Sequence, residues 1–242
     1  MKNRIDDLEI NNLKIKQNTD YFCFGIDAVL LSDFAKEIKN NSIVLDIGTG
    51  NGILPLLLSA KTKAKKIYGL EIQKELYSLA TENITMNNLN ELIEIVNGDI
   101  KNAKQIFSEN MFDTIVTNPP YKKIGSGIVN DNEFVKIAKH EILCTLEDII
   151  KNASFVLKNN GNIFMVHRPD RLVDILCLMR QYHIEPKNIR FVHSKIGSEP
   201  VLVLIKGIKN AKPFLKIDKP LYIYENNGEY TDEIYEIYGK EK

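Results

Sequence analysis

Val44-Leu45-Asp46-Ile47-Gly48-Thr49-Gly50-Asn51-Gly52 is an apolar run that breaks into alternate glycines. The run reads as a buried strand, Ile43–Ile47. The glycines read as a turn whose backbone takes positive φ and lets a ligand come close. Residues 53–60 continue as a helix, with Pro55 in the first turn, where its missing N–H costs little. A strand, a glycine turn and a helix in that order open a nucleotide-binding α/β unit.

Working outward, the alternation repeats. Strands are expected at Ile67–Leu70, Leu92–Val96, Phe112–Thr117 and Asn162–His167, and helices over 73–87, 141–157 and 169–182. Asn159-Asn160-Gly161 is expected to make the turn into the Asn162 strand. Ile189–His193 and Val201–Ile205 lie too close together for a parallel crossover, so they should pair antiparallel. The pattern predicts an α/β fold with a doubly wound, mostly parallel sheet and an antiparallel strand at its C-terminal edge. Residues 8–24 look extended, and a helix capped by Asp27 is expected to run from there to Lys36. No second core or linker is visible. The chain therefore divides into an N-terminal segment and helix (1–40), a cofactor-binding and catalytic core (41–206) and a tail (207–242) within one domain.

Composition narrows the function classes. The 242 residues are 44% hydrophobic, enough for a substantial core, and 32 basic residues balance 32 acidic ones. A global positive field for nucleic acid is absent, so any such binding needs a local patch. Cys23, Cys144 and Cys177 form no CxxC or Cys/His cluster and read as buried reduced thiols. No metal ligand set stands out. The first residues lack a signal-peptide core, and no apolar run approaches the roughly 20 residues of a membrane span. A cytoplasmic protein with no membrane partner is expected.

The acidic residues at successive strand ends carry the cofactor reading. Glu71 follows Gly52 by 19 positions, where a carboxylate can accept from both ribose hydroxyls of a nucleoside. Asp99 ends the next strand and can accept from an adenine amino group, with Ile72 and Ile100 on the ring faces. A dinucleotide and S-adenosylmethionine both fit such a site. Asp46 favours the second: it would repel a pyrophosphate and attract an α-ammonium and a sulfonium. Ile53 also occupies the place of the third dinucleotide glycine. The expected cofactor contacts are Asp46, Gly48, Gly50, Gly52, Glu71, Ile72, Asp99, Ile100 and Asn118.

Asn118-Pro119-Pro120-Tyr121 ends the Phe112–Thr117 strand. Two prolines stop its pairing and leave an amide, a carbonyl and an aromatic ring at the strand's carboxyl end. These groups suit a planar amino group. Asn118 and the Pro119 carbonyl can accept its two protons, Pro120 fixes the turn, and Tyr121 can stack on the ring.

With these motifs in place the chain resembles the class I S-adenosylmethionine-dependent methyltransferases, whose amino-methylating members carry the Asn-Pro-Pro-Tyr signature. It is most similar to the bacterial valine-tRNA adenine N6-methyltransferase family, through Phe24-Gly25-Ile26-Asp27-Ala28-Val29-Leu30-Leu31, His140-Glu141 and His167-Arg168-Pro169. Ile26 stands where related sequences often carry Thr. The resemblance implies a Rossmann-like methyltransferase sheet. It also implies methyl transfer to the N6 amine of an adenine in RNA, with tRNA the favoured partner. Guanine N2 and glutamine N5 are the alternative acceptors, and a silent cofactor-binding module is a further alternative. About 40 residues precede the glycine motif, too few for the recognition domain expected of a glutamine methyltransferase. Lys122-Lys123 and residues 124–128, Arg168, Arg171, Arg180, Lys206, Lys209, Lys212 and Lys216 are candidate phosphate contacts. His140 and Glu141 read as a packing pair at a helix start. Oligomeric state is left open by the sequence, with a monomer favoured.

Overall fold

The computed structural model describes residues 3–18, 25–119 and 144–240. Asn3–Asp7 (β1) and Lys14–Asn18 (β2) form an antiparallel hairpin, closed by a turn in which Glu9, Asn11 and Asn12 take positive φ. Of the segment 8–24 expected to be extended, the described residues 8–18 form a strand at β2 and a turn before it. Ile26–Phe34 (α1) follows, with Gly25 and not Asp27 at its N-cap. Asp27 lies inside the first turn, where a carboxylate is favoured by the helix dipole.

The main sheet contains Ile43–Ile47 (β3), Lys66–Glu71 (β4), Ile93–Asn97 (β5), Phe112–Thr117 (β6), Leu157–His167 (β7), Ile184–His193 (β8), Pro200–Lys209 (β9), Lys216–Ile217 (β10) and Leu221–Tyr222 (β11). Its order is β10-β8-β9-β7-β6-β3-β4-β5, with β11 also pairing with β8. Strands β3 to β7 pair in parallel, and β9 runs antiparallel between β7 and β8. The helices are Ile53–Lys61 (α2), Lys74–Met86 (α3), Ala103–Ile106 (α4), Leu146–Val156 (α5), Leu172–Gln181 (α6) and Asp232–Ile237 (α7).

Two apolar clusters lie on opposite faces of the sheet. One gathers α1, α2, Ile84 of α3 and the tail residues Ile234 and Ile237; the other gathers Ala103, α5 and α6. Every residue from Ile53 to Leu58 is buried, because α2 is covered by the sheet on one side and α1 on the other. At about 1.5–3 kcal/mol per fully buried aliphatic side chain, this helix anchors the glycine turn before it. Helix α5 starts on a full capping box between Thr145 and Asp148.

Three sequence expectations change. Strand β7 begins at Leu157 and not at Asn162. The turn at Asn159–Gly161 survives as a bulge: Leu157 pairs with Phe112 and Asn162 with Thr114, so four residues of β7 oppose one of β6. Asn160 supplies the positive φ this needs. Cys177 is exposed, because α6 turns Ile175 and Met179 inward and leaves position 177 on its outer face. Cys144 is half-buried, and burial pushes its thiol up to about 12, far from the thiolate range. Cys23 lies outside the described residues.

Candidate active site

Strand order reverses between β3 and β6. From β3 the chain winds to β4 and β5; from β6 it winds the other way to β7. In open α/β sheets the crevice at such a switch point, beyond the strands' carboxyl ends, is where ligands bind. Ile47 pairs with Thr117 across it, and the Thr117 hydroxyl donates to the Ile47 carbonyl at 3.0 Å. The next residues on the two strands are Gly48 and Asn118, so the register brings the glycine turn and the Asn-Pro step to one crevice.

The turn is built as the sequence requires. Gly48, Gly50 and Gly52 have φ of 76°, 59° and 86°. A Cβ at Gly48 or Gly50 would meet nothing within 4 Å, so these two glycines border open space. Gly52 serves packing: its Cβ would touch the Ala80 Cβ at 3.4 Å, where α3 crosses the turn. The Gly48 and Thr49 amides donate to the Leu70 carbonyl, at 2.9 and 3.1 Å. Glu71, 4% exposed, closes the cradle from β4: Oε2 accepts from the Gly50 amide at 2.9 Å and Oε1 from the Gln73 amide at 2.8 Å. Each of these oxygens has a further lone pair for a ligand hydroxyl. Asp99 follows β5, half-buried; its Oδ1 caps the 3-10 turn at Ile100–Asn102 by accepting from the Lys101 amide at 2.9 Å. Ile72 is half-buried, and Ile100 is buried in the second cluster.

Asp46 is the most unusual group in the crevice. It is fully buried, and neither carboxylate oxygen has a hydrogen-bond partner. Burial pushes its pKa up to about 7; the nearby Thr49 hydroxyl, outside hydrogen-bond geometry, opposes this, and Glu71 adds a smaller upward push. An unpaired buried carboxylate is costly unless a cation completes it. With open space at Gly48 and Gly50 and carboxylates at Asp46 and Glu71, the residues fit S-adenosylmethionine, which carries a cationic α-ammonium.

Asn118 is half-buried and Pro119 buried; the Asn118 Nδ2 donates to Asp27 Oδ2 at 3.1 Å. Pro120, Tyr121, Lys122, Lys123, residues 124–128, His140, Glu141 and Phe24 lie outside the described residues. Among those described, no three His, Cys, Asp or Glu side chains are grouped to hold a metal ion. Nor is any helix long and apolar enough to cross a membrane.

Sequence reasoning missed a joint beneath the turn. Asn83 lies in the helix expected over 73–87, an expectation that does not single it out. Its side chain accepts from the Lys16 amide at 2.7 Å and donates to the Lys16 carbonyl at 3.0 Å and the Asn51 carbonyl at 2.8 Å. One turn on, Asn87 exchanges the same pair of bonds with Lys14, at 2.9 and 2.7 Å. The two amides act as a substitute strand for β2 and tie it to the glycine turn. An asparagine pair at i and i+4 on an otherwise apolar helix face was the available signal. Asn83→Leu should lower stability by about 2–4 kcal/mol, since it orphans several buried backbone groups. Thermal unfolding measures this, and an unchanged Tm would show that the joint bears no load.

The basic candidates separate by edge. Lys209 lies at the end of the sheet away from the crevice and donates to Asn110 Oδ1, the Ser154 carbonyl and the Leu157 carbonyl, at 3.0, 2.6 and 2.8 Å. Arg180, at the far end of α6, pairs with Glu185; Lys216 pairs with Asp218; Lys206 lies over the Phe164 ring and near Glu37. Arg168 and Arg171 follow β7 directly at the crevice edge; Arg168 is exposed, and Arg171 pairs with Asp174 at 2.8 Å. The β8–β9 turn reaches the same edge, because β8 runs parallel to β7. Its exposed Lys195 and Ile196 sit on a loop fixed by Ser198, whose hydroxyl donates to the Lys195 carbonyl at 2.7 Å. Lys195 was not singled out from the sequence. His167, buried at the end of β7, accepts from the Arg168 amide at 2.8 Å. Burial, reinforced by Arg171, lowers its pKa to about 4, so it is neutral at physiological pH.

Comparison with known proteins agrees with this geometry. A family profile described as "Methyltransferase small domain" matches residues 24–181. A tRNA1(Val) (adenine(37)-N6)-methyltransferase of Porphyromonas gingivalis is 30% identical over 185 residues, 74% of this chain and 72% of that protein. The protein of the same name from Haemophilus influenzae is 29% identical over 225 residues, 92% of each chain. Among solved structures, a predicted O-methyltransferase from Agrobacterium tumefaciens superposes with a TM-score of 0.71 at 19% identity, covering 88% of this chain and 95% of that one. TYW2 of Pyrococcus horikoshii in complex with MeSAdo gives 0.58 at 18% identity, covering 83% and 70%. At these identities the structural likeness speaks to the fold.

Proposed function

This chain belongs to the methyltransferase small domain family, and on that premise we propose that it methylates the exocyclic N6 amine of an adenine in RNA, with tRNA as the substrate. It is an S-adenosylmethionine-dependent methyltransferase. The observation that carries the acceptor reading is the register that sets Asn118-Pro119 beside the glycine turn. Relatives named for adenine N6 methylation of tRNA support the choice of acceptor.

Bound S-adenosylmethionine supplies an electrophilic methyl carbon on a sulfonium. Asp46 would hold its α-ammonium and Glu71 its ribose hydroxyls. Asp99 would meet the adenine amino group with Ile72 and Ile100 against the ring, and Gly48 and Gly50 would admit the backbone contact while Gly52 lets the turn pack on Ala80. The acceptor amine is a poor nucleophile because its lone pair is delocalised into the ring. Asn118 Oδ1 and the Pro119 carbonyl each accept one N–H, which turns the lone pair toward the methyl group and stabilises positive charge developing on nitrogen. Pro120 and Tyr121 complete the sequence motif outside the described residues; on the sequence reading Tyr121 is the group that would stack on the base. A base within structured RNA must leave its stack to reach this crevice. One domain carries the reaction, as a cytoplasmic monomer.

Arg168 and Lys195 present the phosphate contacts nearest the crevice. Replacing both with Ala should weaken RNA binding about tenfold and reduce the slope of log affinity against log salt by between one and two. An unchanged salt slope in a filter-binding titration would move the RNA to another surface. The acceptor itself is tested by methyl transfer from labelled donor to total RNA, followed by nucleoside analysis. N6-methyladenosine supports the reading, N2-methylguanosine redirects it, and label confined to protein refutes it.

A further inference from the structure

We propose that Asp27 is a positioning residue for methyl transfer, fixing which way round the Asn118 amide sits. The proposal rests on the methylation reading above. Asn118 Nδ2 donates to Asp27 Oδ2 at 3.1 Å, although 91 positions separate the two residues in the chain. The other carboxylate oxygen, Oδ1, accepts from the Ala28 amide at 3.0 Å. Asp27 is only 7% exposed, and Ala28, Val29, Leu30 and Leu31 bury the helix that carries it.

A side-chain amide has two orientations, related by a half-turn, that are nearly alike in shape and opposite in chemistry. One offers an acceptor to the substrate amine; the other offers donors, which repel it. An ionised carboxylate can only accept. Facing Asp27, Asn118 is satisfied when Nδ2 points to it, while the reverse orientation sets oxygen against oxygen. Asp27 therefore turns Oδ1 to the side of the amide away from itself, the end that the proposed function assigns to the acceptor amine. Hydrogen bonding to an anion also polarises the amide and makes Oδ1 more negative, which helps where positive charge develops. Asp27 touches neither substrate nor cofactor in this role; it acts through Asn118.

The test is an exchange of the pair. Asn118→Asp alone puts two carboxylates face to face and should lower kcat about 100-fold or more. Adding Asp27→Asn gives the new carboxylate a donor again and leaves it one outward oxygen as acceptor. The double variant should recover at least about tenfold over Asn118→Asp, although Asp27→Asn alone lowers kcat. Cofactor affinity should fall far less than kcat throughout, because Asn118 is one of several expected cofactor contacts and Asp27 is none of them. Both substitutions are isosteric, and Tm confirms folding. A double variant no faster than Asn118→Asp, or an Asp27→Ala enzyme with wild-type kcat, overturns the proposal. Rates are compared with wild type on whichever acceptor takes label. A wild-type enzyme that labels no RNA thus refutes the RNA reading while the exchange still decides the role of Asp27.

Discussion

Asn118→Ala is expected to lower kcat by about 10³-fold with a much smaller loss of cofactor affinity, because Asn118 is only one of several expected cofactor contacts. The asymmetry follows from what the side chain is assigned to touch. Loss of one preorganised hydrogen-bond partner of a developing charge costs about 2.7–4 kcal/mol of transition-state stabilisation. On the proposed mechanism the other acceptor, the Pro119 carbonyl, would be left to orient the amine lone pair alone. The truncation also removes the Nδ2 donor from Asp27 Oδ2, so a modest fall in Tm should accompany the loss. Donor binding by calorimetry and single-turnover methylation separate the two effects. Single-turnover rates within tenfold of wild type would remove Asn118 from the chemistry.

Asp46→Asn should have effects of opposite sign on binding and stability. The buried carboxylate is unpaired in the described structure, and the cofactor's ammonium is the group expected to complete it. The variant should bind the cofactor at least about 100-fold more weakly, as expected when a desolvated charge loses its partner. The fold itself should gain. Asp46 titrates near pH 7 in the folded protein against 3.8 as a model value. A raised carboxyl pKa leaves stability intact below the unfolded value and removes it as pH rises through the folded one. The cost is therefore absent below pH 3.8, grows between 3.8 and about 7 and is full above that. The shift corresponds to about 4 kcal/mol at most. Cofactor-free Asp46→Asn should thus melt above wild type at pH 8, with the difference shrinking toward pH 4. By the same linkage, wild-type cofactor affinity should weaken about tenfold per unit below pH 7, because binding must first remove the proton. A pH-independent affinity, or a variant that melts below wild type at pH 8, would contradict this account of Asp46.

Much of this architecture is legible in the sequence because local and global signals agree. The apolar run before Gly48 meets the period of a buried strand, and β3 and β6 begin and end where their composition changes. Glu71 and Asp99 fall at strand ends because the strands before them are apolar and the helices after them are not. What escaped reading depends on contacts between distant segments. Asp27 looks like a helix cap until Asn118 is brought to it. Asn83 looks like a polar interruption until β2 lies along α3. The turn at Asn159–Gly161 is correctly read as a local conformation, but only pairing with β6 makes it a bulge inside a longer strand. Cys177 shows the limit of composition: residue type favours burial, and the helical phase of Ile175 and Met179 decides otherwise.

The packing of the tail on α1 bears on the order in which the enzyme becomes complete. Ile234 and Ile237 join the cluster that includes α1, and Lys61 of α2 donates to the Ile237 carbonyl at 3.0 Å. The helix that carries Asp27 leaves the ribosome early, yet part of its cover is made roughly two hundred residues later. A nascent chain paused after β7 already holds the glycine turn, Glu71 and Asn118. It still lacks the strands that follow and the outer support of α1. Synthesis thus separates possession of the proposed site residues from the completed packing around α1, to which the tail is the last contributor.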